Sequence, residues 1–142
     1  MTTERALRIL VVDDQAPIRA LLARALQEKG YDVVALNDGL AGLEAVLTAT
    51  EPYDLVVTNN CMPRMGGDEL IARIRDAYPT LPILHLDDGS TPHALLPTDV
   101  LNLTKPFTCD SMVEKVDQLL LRADKQTRSS GPSSDSMPQV AG

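Results

Sequence analysis

Apolar residues along this chain fall into two alternating patterns. Ile9-Leu10-Val11-Val12 is a continuous run that stops at Asp13-Asp14. A run this short and this rich in β-branched residues predicts a strand buried on both faces. In the next segment Ile18, Leu21, Leu22, Ala25 and Leu26 recur at helical spacing, and Gly30 follows where a C-terminal cap is expected. Pro17 falls in the first turn of that helix, where proline is tolerated. The alternation repeats: Val33-Val34-Ala35 predicts a second strand, and Leu40, Leu43, Val46 and Leu47 a second helix. Leu55-Val56-Val57 then predicts a third strand, and Leu70, Ile71, Ile74 and Ala77 a third helix. Ile83-Leu84-His85-Leu86 and Val100-Leu101-Asn102-Leu103 read as strands four and five. Met112, Val113, Val116, Leu119 and Leu120 mark the last helix.

Five strands alternating with helices predict an α/β fold, a doubly wound five-stranded parallel sheet with helices on both faces. Between strands four and five, residues 90–99 hold Pro92, His93 and Pro97, so a helix there is short or degenerate. His93 reads as a surface loop residue and His85 as a packed residue of its strand. After Arg122 the apolar stripe stops, and Ser129-Ser130-Gly131-Pro132-Ser133-Ser134 follows. The expected organisation is one domain over 1–122 and a flexible Ser/Gly/Pro-rich tail over 123–142.

Composition narrows the function. The 142 residues carry 13 Lys+Arg against 20 Asp+Glu, a net charge of −7 that disfavours a phosphate backbone as partner. One Phe and no Trp leave little for stacking bases, so no nucleic-acid partner is expected. Two cysteines, Cys61 and Cys109, are too few for a disulfide framework. No apolar run approaches membrane-spanning length, and residues 1–8 lack an apolar signal core, so a cytoplasmic chain is expected.

In a parallel sheet of this kind chemistry gathers at the carboxyl ends of the strands. The first strand ends in Asp13-Asp14, the third in Asn59-Asn60, the fourth in Asp87-Asp88, and the fifth in Lys105-Pro106. Parallel strands bring these groups into one pocket of carboxylates, an amide and an ammonium.

With these residues in view, the chain resembles the receiver domain of two-component response regulators over roughly residues 7–121. The matching motifs are Leu10-Val11-Val12-Asp13-Asp14, then Asp54-Leu55-Val56-Val57-Thr58 leading into Met62-Pro63-Arg64-Met65-Gly66-Gly67, and Lys105-Pro106-Phe107. The resemblance implies the flavodoxin-like receiver topology. It implies Mg²⁺ held by Asp13 and Asp14 with the backbone carbonyl of Cys61. It also implies an acceptor for a phosphoryl group at position 59, with Lys105 on the phosphoryl oxygens. Partners would be a histidine kinase, a phosphotransfer protein or an output protein.

Four features depart from the family pattern. The acceptor position holds Asn59, and a carboxamide is not a carboxylate nucleophile. The hydroxyl position ending the fourth strand holds Asp87, which when ionised can accept hydrogen bonds but not donate them. The aromatic switch position holds Asn102. The segment before the fifth strand is about one helical turn short. These departures point to a pseudo-receiver that acts through protein contact, with Asp87 expected to pair with Lys105. The alternative is an ordinary phosphoacceptor receiver carrying one inactivating substitution at 59. A Mg²⁺-dependent phosphohydrolase lacks its expected parts: the acidic pair has no spacer, and no Gly-rich phosphate loop is present. No enzymatic activity is therefore expected.

Overall fold

The computed structural model describes residues 6–89, 97 and 99–129, with side chains through 123. Its elements are β1 (Arg8–Val12), α1 (Ala16–Glu28), β2 (Asp32–Leu36), α2 (Gly39–Thr48), β3 (Leu55–Asn59), α3 (Gly67–Ala77), β4 (Ile83–Asp87), β5 (Leu101–Thr104) and α4 (Cys109–Ser129). All four strand pairings are parallel, in the order β2-β1-β3-β4-β5. This is the doubly wound sheet expected from the pattern, and its order reverses between β1 and β3.

Two aliphatic cores lie on opposite faces of the sheet. On one, Leu22 and Leu26 of α1 and Met112, Val116 and Leu119 of α4 pack on Ile9, Val11, Leu55, Val57, Leu84 and Leu86. On the other, Leu43 and Val46 of α2 and Leu70, Ile71 and Ile74 of α3 pack on Leu10, Val12, Val56 and Ile83. Alternate residues of each strand serve opposite cores, so the central strands are mostly apolar, with buried Thr58 and Asn59 closing β3 and His85 and Asp87 in β4.

The expected stripes are corrected in places. Leu21 of α1 and Leu40 and Leu47 of α2 are exposed. Gly39 and Gly42 share the buried face of α2 with Leu43 and Val46, and a Cβ at either glycine would come within 2.2 Å of Met65 O and 2.9 Å of Val12 Cγ2 respectively. Gly30 closes α1 with φ +95°, a conformation open to glycine at no steric cost. The tail expected from 123 begins too early, since α4 runs on to Ser129. Lys125, Gln126 and Arg128 are compatible with a helix, and the first strong breaker is Gly131. The short fourth helix expected over 90–99, with His93, lies outside the described residues except for Pro97 and Asp99, as does the tail beyond 129. No helix among the described residues is long and apolar enough to cross a membrane.

Candidate functional site

The carboxyl ends of β1, β3, β4 and β5 meet above the switch point, and the residues that follow them form a polar pocket. Asp13, Asn59, Asn60 and Asp87 are buried there, whereas Asp14 is exposed and Lys105 half-buried. The strands place these groups because each apolar run stops at the same level of the sheet, as Val12 stands beside Thr58 and Asp87 beside Thr104.

Asn59 is the hub. Its Nδ2 donates to Asp14 Oδ1 at 3.3 Å and to the Cys61 carbonyl at 3.1 Å. Its Oδ1 accepts from Lys105 Nζ at 2.7 Å. These partners fix the orientation of the amide, because an ammonium only donates and a carboxylate or carbonyl only accepts. The carboxamide thus ties β3 to the loops after β1 and β5 and to its own following loop.

Asp87 does not pair with Lys105 as the charges suggested. Its Oδ1 accepts from Gly89 N at 3.1 Å and from Asn60 Nδ2 at 3.4 Å, and Asn60 also donates to Asp88 Oδ1 at 3.1 Å. Lys105 meets Asp87 through the backbone only, its N–H donating to the Asp87 carbonyl at 2.7 Å. The ammonium is carried past the carboxylate to the amide oxygen of Asn59.

Asp13 lies deepest. Its Oδ1 accepts from Gln15 N at 2.9 Å, its carbonyl accepts from Arg19 Nη1 at 2.9 Å, and its Oδ2 is buried without a hydrogen-bond partner. Burial pushes this carboxyl above the ordinary carboxylate range. The Gln15 N–H and the Lys105 and Arg19 cations pull it back, while the neighbouring Asp14 adds to the rise.

Several residues make contacts that the sequence did not foretell. Asn60 bridges the ends of β3 and β4. Arg64, at φ +69°, donates through Nη2 to Asp38 Oδ2 at 2.6 Å and so fastens the β3–α3 loop to the N-cap of α2. Gly67 lets α3 approach the pocket floor, since a Cβ there would lie 2.2 Å from the Asn59 carbonyl oxygen. Its place in Met65-Gly66-Gly67 was the only hint. Asn102 accepts at Oδ1 from the buried His85 ring, with Nδ1 2.8 Å away, and so joins β5 to β4.

A match to the response regulator receiver domain covers residues 9–117, most of the chain. The chain belongs to that family. This receiver is 31% identical over 120 residues to the response regulator receiver protein CpdR of Brucella abortus, covering 82% of this chain and 98% of CpdR. It is 37% identical over 120 residues to the response regulator MprA of Mycobacterium leprae, where it covers 82% of this chain but only 52% of MprA. Among solved structures it resembles the chemotaxis response regulator CheY4 of Vibrio cholerae, at TM-score 0.71 and 27% identity, over 81% of this chain and 99% of the other. It is thus a receiver domain of two-component signalling, and such domains are signalling modules.

Receiver domains typically bind Mg²⁺ at this pocket. Asp13 Oδ2, buried and without a partner, fits such an ion. The other oxygens do not fit as arranged, because Asp14 Oδ1 and the Cys61 carbonyl both accept from Asn59 Nδ2. Each of these oxygens has a lone pair committed to an N–H, whose partial positive charge opposes a cation beside it. Among the described residues no group of three or more His, Cys, Asp or Glu is arranged to hold a metal.

Proposed function

We propose that this receiver signals through protein contact and that its phosphorylation-dependent switch is lost. The single observation that carries this reading is Asn59. It stands at the end of β3, where the family motif calls for the acceptor, and its carboxamide oxygen is engaged by Lys105. An amide oxygen does not form the acyl phosphate that a carboxylate would. Asp87 and Asn102 support the same reading. A carboxylate stands where a hydroxyl would hold a phosphoryl oxygen, and an amide bonded to His85 stands where an aromatic ring would turn.

The partner is a protein, such as a histidine kinase, a phosphotransfer protein or an output protein, met in the cytoplasm. The net charge of −7 disfavours nucleic acid and anionic membrane surfaces. A groove of about 250 Å³ beside Lys105, lined by Ile18, Leu21, Leu22, Pro106 and Phe107, offers apolar contact next to the pocket.

Intact-mass analysis after incubation with acetyl phosphate and Mg²⁺ tests the reading. The expected spectrum is that of the unmodified chain, and one added phosphoryl group overturns the proposal. The second reading, an ordinary receiver silenced at position 59 alone, predicts that Asn59→Asp labels as fast as Asn59→Asp combined with Asp87→Thr. The present reading expects the double variant to label and the single one to lag, because Asp87 keeps a negative charge where the phosphoryl group must enter.

A further inference from the structure

We propose that the Asn59 carboxamide takes the place of a divalent cation, so that this receiver holds its pocket together without metal. The inference deepens the reading above and rests on it for the position of Asn59. Its test reads cation binding alone, so either proposal can fail without the other.

The two hydrogens of Nδ2 are directed at Asp14 Oδ1 and the Cys61 carbonyl, 3.3 and 3.1 Å away. Together with the Asp13 carboxyl, these are the oxygens that the family pattern would offer to Mg²⁺. An N–H₂ group presents partial positive charge to both acceptors, the same sense of interaction that a cation would supply. On its other side the amide presents an oxygen to the Lys105 ammonium at 2.7 Å. A carboxylate can serve both sides at once with oxygen; a carboxamide has one oxygen and one nitrogen. Turning Asn59 over to give its oxygen to a metal would set its N–H₂ group against the Lys105 ammonium, donor against donor.

Charge adds to geometry. Replacing the expected carboxylate by an amide removes one negative charge from the set facing the cation, and the charge of the ligand set is what tunes the affinity of oxygen-ligated sites. Asp87 does not restore it, because its Oδ1 is turned to Gly89 N and Asn60 Nδ2 at the end of β4. Mg²⁺ demands near-octahedral oxygen geometry and gives up its waters reluctantly, so displacing a donor already bonded to two of its ligands adds a further barrier.

The test is a titration of the ¹⁵N-labelled full chain with Mg²⁺ into the tens of millimolar, repeated with trace Mn²⁺ as a relaxation probe. The expected result is no saturable shift of the Asn59 side-chain signals or of the Asp13, Asp14 and Cys61 amides, and no selective broadening by Mn²⁺. Asn59→Asp should gain saturable binding, with an affinity at least roughly tenfold above that of the wild type, through the restored ligand charge. A saturable wild-type site at these residues overturns the proposal. So does an Asn59→Asp chain that folds with a cooperative melt yet gains no affinity. The wild-type titration is decisive by itself if the variant does not fold.

Discussion

Asn59→Asp exchanges one heavy atom, the Nδ2 amide nitrogen for a carboxylate oxygen, and its effect on stability follows from the distances around the amide. In the variant a carboxylate oxygen replaces Nδ2 and faces Asp14 Oδ1 near 3.3 Å and the Cys61 carbonyl near 3.1 Å. Two unit charges at that separation repel by about 5 kcal/mol at an effective dielectric of about 20, and by roughly 1 kcal/mol in bulk water. Asp14 is exposed, so about 1–3 kcal/mol is the appropriate range. Losing the two N–H bonds adds about 1–2 kcal/mol. Against this, Lys105 gains a charged partner at the 2.7 Å contact, which returns about 1–2 kcal/mol. The net expectation in chelator at neutral pH is a loss of about 1–3 kcal/mol. For a domain of this size each kcal/mol lowers the melting midpoint by roughly 3–6 °C. Far-ultraviolet circular dichroism melts with EDTA, then with Mg²⁺, measure it. Mg²⁺ at about ten times its dissociation constant should return roughly 1.4 kcal/mol to the variant and nothing to the wild type. A variant as stable as the wild type in EDTA would refute the account of Asn59 as a donor to two acceptors.

Two further outcomes test the frame of the pocket. Gly67→Ala should lower stability by about 1–3 kcal/mol despite alanine's helix preference, because the new Cβ meets Asn59 O at 2.2 Å and Asn60 Cα at 2.9 Å, both backbone; a urea midpoint at or above that of the wild type would sink the close-approach argument. Asp38 is held below the ordinary carboxylate range by the Ala41 N–H first and by the Arg64 guanidinium. Its charge therefore adds stability above about pH 4 that is lost as the pH falls further. Asp38→Asn keeps an N-cap side chain and removes only the charge. Urea titrations should then find the wild type ahead at pH 7 and the gap narrowed at pH 3, and a gap that stays constant contradicts the assignment.

How much of this could be read from the sequence depended on the kind of interaction. Strands were legible because burial on both faces forces an unbroken apolar run, as in Ile9 to Val12. The convergence of Asp13, Asp14, Asn59, Asp87 and Lys105 was legible too, since parallel strands must end on one side. Helix faces were partly hidden. In α2 the buried face holds Gly39 and Gly42 beside the expected Leu43 and Val46, and a count of large apolar residues passes over the glycines, while Leu40 and Leu47 face outward. Hydrogen-bond direction was not legible at all. Charge alone favoured Asp87 for Lys105, but the reach of the lysine side chain and the local claims of Gly89 and Asn60 on Asp87 gave the ammonium to Asn59. The end of α4 was missed because the apolar stripe fades before any residue that stops a helix.

The two aliphatic cores give the pocket a mechanical meaning. Helices α1 and α4 belong to one core and α2 and α3 to the other, with the sheet as a partition between them. Asp14 leads into α1, Lys105 into α4, and Cys61 into α3; the three are stitched to one side chain at the rim of that partition. Asn59 is therefore a clasp between the halves of the molecule. A force applied to the α1–α4 half by a bound protein has a short polar path to the α3 half, and on the reading proposed above that path would stay closed whatever small ions or phosphoryl donors surround it. In engineering terms such a joint is welded, and information would pass through it as load instead of as a chemical change of state.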